Sequence, residues 1–195
     1  EYLHGVYEQS FVWLARTTDG PHAILKIHKM HQSATNEANA FAFMKRHKLA
    51  GTPRCLARSD VEKRIFLLSF ESGKSGHLDQ VSAFKAGQFL GTLHTTPYSD
   101  YDAIPVAHAL RLRTEALRSR IHDPDKQRFV DQCLRILKIN ERERRVLCHR
   151  DFRPANWLYD EPSRTMSVLD FGHSRGDFWL ADLVHLRALT WHHPD

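Results

Sequence analysis

Long apolar runs are missing from this chain. No stretch approaches the roughly 18 residues that a membrane-crossing helix requires, so a membrane span is not expected. Cysteine is scarce: Cys55, Cys133 and Cys148 lie far apart, odd in number and without a CxxC pair. That argues against a disulfide framework and makes a reducing cytoplasm the expected compartment. The opening residues, EYLHGVYEQS, hold neither a basic n-region nor an apolar core, and nothing in them reads as a secretory signal. Internal repeats and low-complexity segments are lacking as well, which sets aside solenoids and disordered arrays.

What is present is an ordinary globular composition, 42% hydrophobic and 26% charged. At 195 residues the chain can build one core or two small lobes that share a boundary. A net charge of +5 favours anionic partners, nucleic acid or a nucleotide. The basic stretches RLRTEALRSR and NERERR are interleaved with Glu in helical contexts, and a solvated helix face explains them better than a nucleic-acid patch. The 14 histidines, including those of HKMH and WHH, have no carboxylate or cysteine cluster at ligand spacing. They are expected on the surface, with no zinc.

Residues 9 to 28 read as a hairpin: QSFVWLAR, a turn at TTDG, then HAILKI. A helix is predicted from about Ala34 to Lys48, with Ser33 as its N-cap and Gly51 just past its end. RIFLLSF is a further strand and ESGKSG a flexible break. Leu78, Val81, Phe89, Leu90 and Leu93 fit one face of a second helix, stopped by TTP. Helices follow at 105–121 and 124–139, then strands VLC, WLY and MSVLD, and a last helix from about Trp179. The predicted fold class is α+β: a small antiparallel lobe with one helix over residues 1–72, and a mainly helical lobe over 73–195. A cleft between such lobes is a common ligand site.

Three polar signals fall in that frame. His149, Arg150, Asp151 and Asn156 fit H-R-D-x-x-x-x-N. Asp170 closes the strand VLD before Phe-Gly, at a distance along the chain that suits a hairpin bringing it beside Asn156. Lys26 sits inside the apolar strand AILKI, and Glu37 shares a helix face with Phe41 and Met44. A buried carboxylate needs a cation, and Lys26 is the natural one. Each signal has a plainer explanation. Asp151 and Asn156 serve equally well as turn formers, Asp170 as a turn opener, and Lys26 as a lysine reaching solvent from an edge strand. Their joint occurrence, in order and in fitting elements, points instead to phosphoryl transfer. In that reading Asn156 and Asp170 offer hard oxygens to Mg²⁺, Lys26 held by Glu37 grips the phosphates, and Asp151 takes or orients the acceptor's proton. Arg150 or Arg153 offsets charge near the transferring group.

At these residues the chain resembles the protein-kinase-like superfamily, and within it the aminoglycoside phosphotransferase and choline kinase branch. FLLSFESGK resembles that branch's hinge, FLGTLHTTP its first helix of the second lobe, and RGDFWLADLVHL the helix after its metal-binding Asp. The resemblance implies a two-lobed kinase-like fold, ATP as co-substrate (GTP as the alternative) and Mg²⁺. It implies a small hydroxylated acceptor, with an aminoglycoside-type antibiotic as leading subclass and another metabolite or a lipopolysaccharide-core sugar as alternative. It places Ser10 near the phosphates and the backbone of Ser69 to Ser72, with Phe70 and Glu71 among them, against the base, and it gives Asp182 a structural bond to the catalytic loop. No nucleic-acid partner is implied, and the chain is expected as a monomer or homodimer.

The chain departs from the family in two places. The phosphate-covering loop, GVYEQSF, has one glycine, Gly5, leaving the backbone from about Glu8 to Phe11 as donors. Members of the branch usually continue through a further helical segment that builds the acceptor pocket, whereas this chain stops at WHHPD. Neighbouring readings fail on particular residues. Gly73-Lys74-Ser75 mimics the end of a P-loop, but its first glycine falls on Leu68. A protein kinase needs a peptide-docking segment, and only about six residues separate Gly172 from the last predicted helix. An inactive kinase-like binding module stays open, as does the acceptor. Overall basicity argues against a polycationic one, since such ligands call for acidic pockets.

Overall fold

The computed structural model describes residues 2–4, 10–16, 22–75, 79–98, 106–139 and 145–184. Strand β1 (Tyr2–His4) edges a sheet continued by β2 (Ser10–Ala15) and β3 (Ala23–His28). After helix α1 (His31–His47), strands β4 (Cys55–Arg58) and β5 (Ile65–Ser69) complete it in the order β1-β2-β3-β5-β4, antiparallel throughout. Strand β6 (Lys74–Ser75) then leads to helices α2 (Gln80–Thr95), α3 (Val106–Arg118) and α4 (Pro124–Ile139). The chain returns as β7 (Val146–Cys148), a 3-10 turn (Pro154–Asn156), β8 (Trp157–Asp160), β9 (Thr165–Val168), a second 3-10 turn (Phe171–His173) and β10 (Arg175–Asp177). A helix begins again at 180. This is the mixed architecture the sequence implied.

The β2–β3 hairpin is in register from Ser10↔His28 to Ala15↔Ala23, with its predicted TTDG turn outside the described residues. In β3 the period of two turns Lys26 and His28 to the buried side, beside Phe66 and Leu68 of β5. Helix α1 starts earlier than predicted, at His31 after an extended Met30, with no side-chain cap. Ser33 is therefore inside the helix and buried, so its cap signature was misleading. The C-terminus is closed by Lys48 in the left-handed region, with Leu49 N–H reaching the Met44 carbonyl at 2.9 Å. Gly51 is not the cap. Its backbone meets β9: the Val168 N–H donates to its carbonyl at 2.8 Å, and a Cβ there would lie 3.0 Å from the Met166 oxygen.

Other expectations need correction. ESGKSG is not merely a break, because β6 within it pairs with β8 at Lys74↔Tyr159 and Ser75↔Leu158. Gly73, at φ +133°, makes this pairing feasible: any side chain would meet the Tyr159 backbone at 2.8 Å. On α2 the buried face is Ala86, Leu90 and Leu93, with Phe89 partly covered, but Val81 is exposed and Leu78 lies outside the described residues. The helix is begun by Asp79, whose carboxylate accepts from Ser82 N–H in a reciprocal capping box. The core joins α1, β5 and α2 to the loop after β7 and the turn before β10. Phe41, Phe43, Phe66, Phe152, Trp157 and Phe171 are its buried aromatic members. Phe171 lies 6.1 Å from Phe41 and 6.4 Å from Phe89, centroid to centroid, so the turn following Asp170 is seated on two helices.

Candidate active site

Helix α1 crosses behind β3 and sets Glu37 against the inward side chains of that strand. Lys26 Nζ donates to Glu37 Oε1 at 2.9 Å and to Asp170 Oδ1 at 2.8 Å. Lys26 is 5% exposed and Glu37 1%, so the expected pairing holds and the solvent-reaching lysine does not. Burial alone would push Lys26 down; the charges of Glu37 and Asp170 and their hydrogen bonds outweigh it, and its pKa is raised. Burial likewise opposes the charge on Glu37, yet the Lys26 charge and the His28 hydrogen bond hold its carboxyl below the usual range. Asp170 follows the same pattern: burial is overcome by Lys26, which lowers it strongly. All three are charged at neutral pH.

His28 was expected on the surface and is instead part of this cluster, 1% exposed, with Nε2 bonded to Glu37 Oε2. The available signal was β alternation: a residue two beyond an inward lysine also points inward. Glu37 Oε1 additionally accepts from Phe171 N–H at 3.3 Å, tying the helix to the backbone next to Asp170. Asp170 takes a left-handed backbone conformation, φ +60°, and its Oδ1 receives the Gly172 N–H at 3.4 Å. Gly172 is closely packed: a Cβ there would meet Asp170 Oδ1 and His28 Cε1 at 3.3 Å each.

The loop after β7 brings up the second group. Asn156 Nδ2 donates to the Asp151 carbonyl at 2.9 Å and to Asp151 Oδ2 at 3.0 Å. Arg153 Nε pairs with the same Oδ2 at 3.3 Å. These bonds leave Asp151 Oδ1 and the Asn156 amide oxygen turned to other uses. The loop is held from beneath by Asp182, fully buried, which accepts from His149 N–H at 3.0 Å, Arg150 N–H at 2.6 Å and His94 Nε2 at 2.9 Å. Burial disfavours the Asp182 carboxylate, but those donors lower its pKa below the ordinary value. Together they stabilise Arg150 at φ +69°, a conformation its side chain reinforces by a 2.6 Å bond to Asp177. His94 and Asp177 had not been singled out in the sequence. Nothing local marks either one, because their partners lie 88 and 27 residues away.

His149 is buried and doubly used: Nε2 donates to the Leu169 carbonyl at 2.7 Å, and Nδ1 accepts from Asp151 N–H at 3.3 Å. Burial outweighs that carbonyl and the nearby carboxylates, so its pKa is lowered and the ring is neutral. His94, Cys148 and Asp182 place ligand-type atoms within 4.8 Å of one another, but hydrogen bonding accounts for the trio. Asp182 already has three donors, and burial with two neighbouring carboxylates pushes the Cys148 thiol far up, away from the thiolate a metal needs.

A cavity of about 600 Å³ gathers these residues: Lys26, Glu37, Asp151, Asn156 and Asp170 all line it, and so does Ser10. Ser69, Phe70 and Glu71 line it as well. Ser69 Oγ accepts from Arg54 N–H at 2.8 Å and donates to Glu71 Oε1 at 2.7 Å, while Ser167 donates to Glu71 Oε2 at 3.1 Å. Both oxygens of Glu71 are thus fixed by serine hydroxyls. Gly5 and Glu8 of the expected covering loop, and the terminal WHHPD, lie outside the described residues. Mg²⁺ can be tested on the donor set. Asn156 has its nitrogen committed to Asp151 and an amide oxygen left over; Asp170 uses Oδ1 for Lys26 and keeps about 40% of its side chain open. Two hard oxygens on one wall fit such an ion.

The antiparallel sheet with α1, the helices after β6, and the loop–hairpin–turn carrying Asp151, Asn156 and Asp170 define a kinase-like fold. The family model described as the phosphotransferase enzyme family (APH) matches residues 3–195, and the chain belongs to that family. Among solved structures it is similar to a choline kinase from Streptococcus pneumoniae (19% identity, TM-score 0.60, covering 98% of this chain and 69% of that one). It is also similar to a Plasmodium vivax ethanolamine kinase (12%, 0.61, 95% and 59%) and a macrolide 2′-phosphotransferase from Brachybacterium faecium (16%, 0.68, 94% and 69%). The chain thus spans 59% to 69% of the length of these three structures. No curated protein sequence matches it significantly. Among the described residues no helix is long and apolar enough to cross a membrane.

Proposed function

We propose that the chain transfers the γ-phosphoryl group of ATP to a hydroxyl of a small molecule. Residues 1–72 act as the nucleotide-gripping lobe and 73–195 as the catalytic one. The observation that carries this reading is the position of Lys26, bonded at once to Glu37 at 2.9 Å and Asp170 at 2.8 Å on the wall of a cavity that Asp151 and Asn156 also line. Lys26 is a fixed cation for the α- and β-phosphates, with Ser10 beside them and the Ser69–Glu71 stretch receiving the base. Asn156 and Asp170 are the residues that would hold Mg²⁺, whose charge offsets that of the β- and γ-phosphates. Asp151, anchored through Oδ2, presents Oδ1 to the acceptor. The acceptor oxygen bonds to the γ-phosphorus as the bond to the β-bridging oxygen breaks; ADP departs, and the hydroxyl proton passes to Asp151. Arg153, at the mouth of the loop, offsets charge on the group in flight.

For the acceptor, antibiotic inactivation is the subclass suggested by family membership, and the three compared structures carry names with choline, ethanolamine and macrolide acceptors. The chain's net charge of +5 weighs toward a neutral or anionic alcohol over a polycation. The cavity lining itself, with Glu37, Glu71, Asp151 and Asp170 beside Lys26 and Arg153, does not add to that preference. A nucleotide-consumption screen with Mg·ATP and Mg·GTP against hydroxylated antibiotics, amino alcohols, sugars and sugar phosphates tests the reading. Phosphate appearing on one acceptor class supports it. Nucleotide binding without transfer to any acceptor would make the chain an inactive binding module instead.

A further inference from the structure

We propose that His28 is a positioning residue for the nucleotide: it locks Glu37 so that Lys26 is held toward the phosphates. The inference rests on the phosphotransferase reading above. Glu37 has two oxygens and they are divided between partners. Oε1 takes Lys26 Nζ at 2.9 Å and Phe171 N–H at 3.3 Å, while Oε2 is bonded to His28 Nε2. Both side chains are 1% exposed, so water does not compete for that second oxygen. Because Glu37 is ionised and can only accept, the ring nitrogen facing it is the donor.

The other ring nitrogen makes the choice of residue informative. Nδ1 is buried without a partner among the described residues. A phenylalanine would fill the same space against Phe66, whose ring meets His28 edge-on at 5.5 Å, and would leave no orphaned atom. Packing therefore gives no reason for histidine at position 28; the second oxygen of Glu37 does. The topology adds to this. Lys26 and His28 are inward residues of a single strand, two positions apart, and α1 inserts Glu37 between them. One strand thus clamps the carboxylate at both ends. Lys26 also bonds Asp170 at 2.8 Å. Once Asp170 is engaged elsewhere, Glu37 becomes the main anchor of the lysine, and the stiffness of Glu37 decides where Nζ points.

The test compares His28→Phe, His28→Asn and His28→Gln in the full chain. Glutamine places its amide N–H where Nε2 stood; asparagine is too short to reach Glu37. Calorimetric titration with Mg²⁺ and a non-hydrolysable ATP analogue gives affinity, and unfolding without nucleotide gives stability. The expected result is roughly 5- to 20-fold weaker binding for Phe and Asn, with glutamine restored to within about 3-fold. In turnover the same variants should raise KM for ATP and leave kcat nearly unchanged, as for a contact present before and during transfer. Should Phe not fold, the Asn–Gln contrast still decides. Equal analogue affinity in all variants overturns the role of His28 and leaves the phosphotransferase reading intact. Loss of binding that tracks loss of fold and is not recovered by glutamine also overturns it, in favour of plain packing. Wild-type protein that binds no nucleotide overturns the phosphotransferase reading itself.

Discussion

At one end of the cavity Lys26, His28 and Glu37 are each at most 5% exposed, and each is fixed by at least one other member of the cluster. At the other, Asp151 keeps 20% of its side chain open and Arg153 44%, joined by an ion pair of 3.3 Å. The first end is a charged cluster enclosed in a sheet–helix interface. The second is a loop tied down from below, through Asp182, with its working surface left free. The difference separates two kinds of dependence. Removing a member of the buried cluster strips the partner from a charge that cannot reach water, so binding and stability should fall together. Removing a side chain from the open loop should cost chemistry while leaving the fold in place.

The sharpest way to break that comparison is Asp151→Ala. Transfer is expected to fall by about 10²- to 10⁴-fold, the usual span for a lost general base. Nucleotide affinity and unfolding temperature should hardly change, because Asp151 supports no buried group except the amide of Asn156. Near-normal turnover in this variant would mean that Asp151 has been given the wrong role. Asp170→Ala is the next largest. It should abolish the Mg²⁺ dependence of nucleotide binding, read by titration with and without the metal, and leave Lys26 to Glu37 alone. Magnesium dependence that survives would move the metal off Asp170.

Lys26→Met tests the buried end directly. It leaves Glu37 and Asp170 facing each other's charge without their cation, and a broken buried pair typically costs about 3–5 kcal/mol. Urea unfolding should show a loss of that order. Adding Glu37→Gln should recover much of it, since the amide removes the stranded charge and still meets His28. A single and a double variant of equal stability would show that the cluster contributes nothing beyond packing.

Much of this was legible in the sequence, and what escaped did so for physical reasons. Lys26 and Glu37 stood out because a lone charge inside an apolar pattern demands a partner, and the pairing followed. Asp151, Asn156 and Asp170 were spaced by a short hairpin, β8–β9, whose register Trp157↔Val168 is set locally. Strands β4, β6 and β10 have four, two and three residues, too few to carry a period, and β6 and β10 exist through non-local pairing with β8 and β7. His28 was missed by treating histidines as a class; its position in the strand contained the answer. The left-handed backbone at Arg150 and Asp170 left no trace either, since the bonds that hold these residues come from Asp182 and Lys26, far along the chain.

The smallest effect separates the two ends by pH. His149 sits under the open loop as a neutral ring whose pKa is lowered from 6.5, chiefly by burial. Below that value the unfolded chain takes up a proton that the folded chain refuses, so this contribution to stability is complete above pH 6.5 and is lost as pH falls toward the folded value. The carboxylates behave with the same sign but later. Glu37, Asp170 and Asp182 are lowered from 4.5, 3.8 and 3.8, so their share is present above those values and is lost only below them. Urea midpoints measured from pH 8 to 3 should therefore fall in two stages, a shallow one beginning near 6.5 and a steeper one below about 4.5. His149→Gln, which keeps the donor to Leu169 and cannot be protonated, should lose the shallow stage and keep the steep one. If the shallow stage persists undiminished in that variant, it belongs to another histidine, and the neutral ring beneath the loop is not what acid first disturbs.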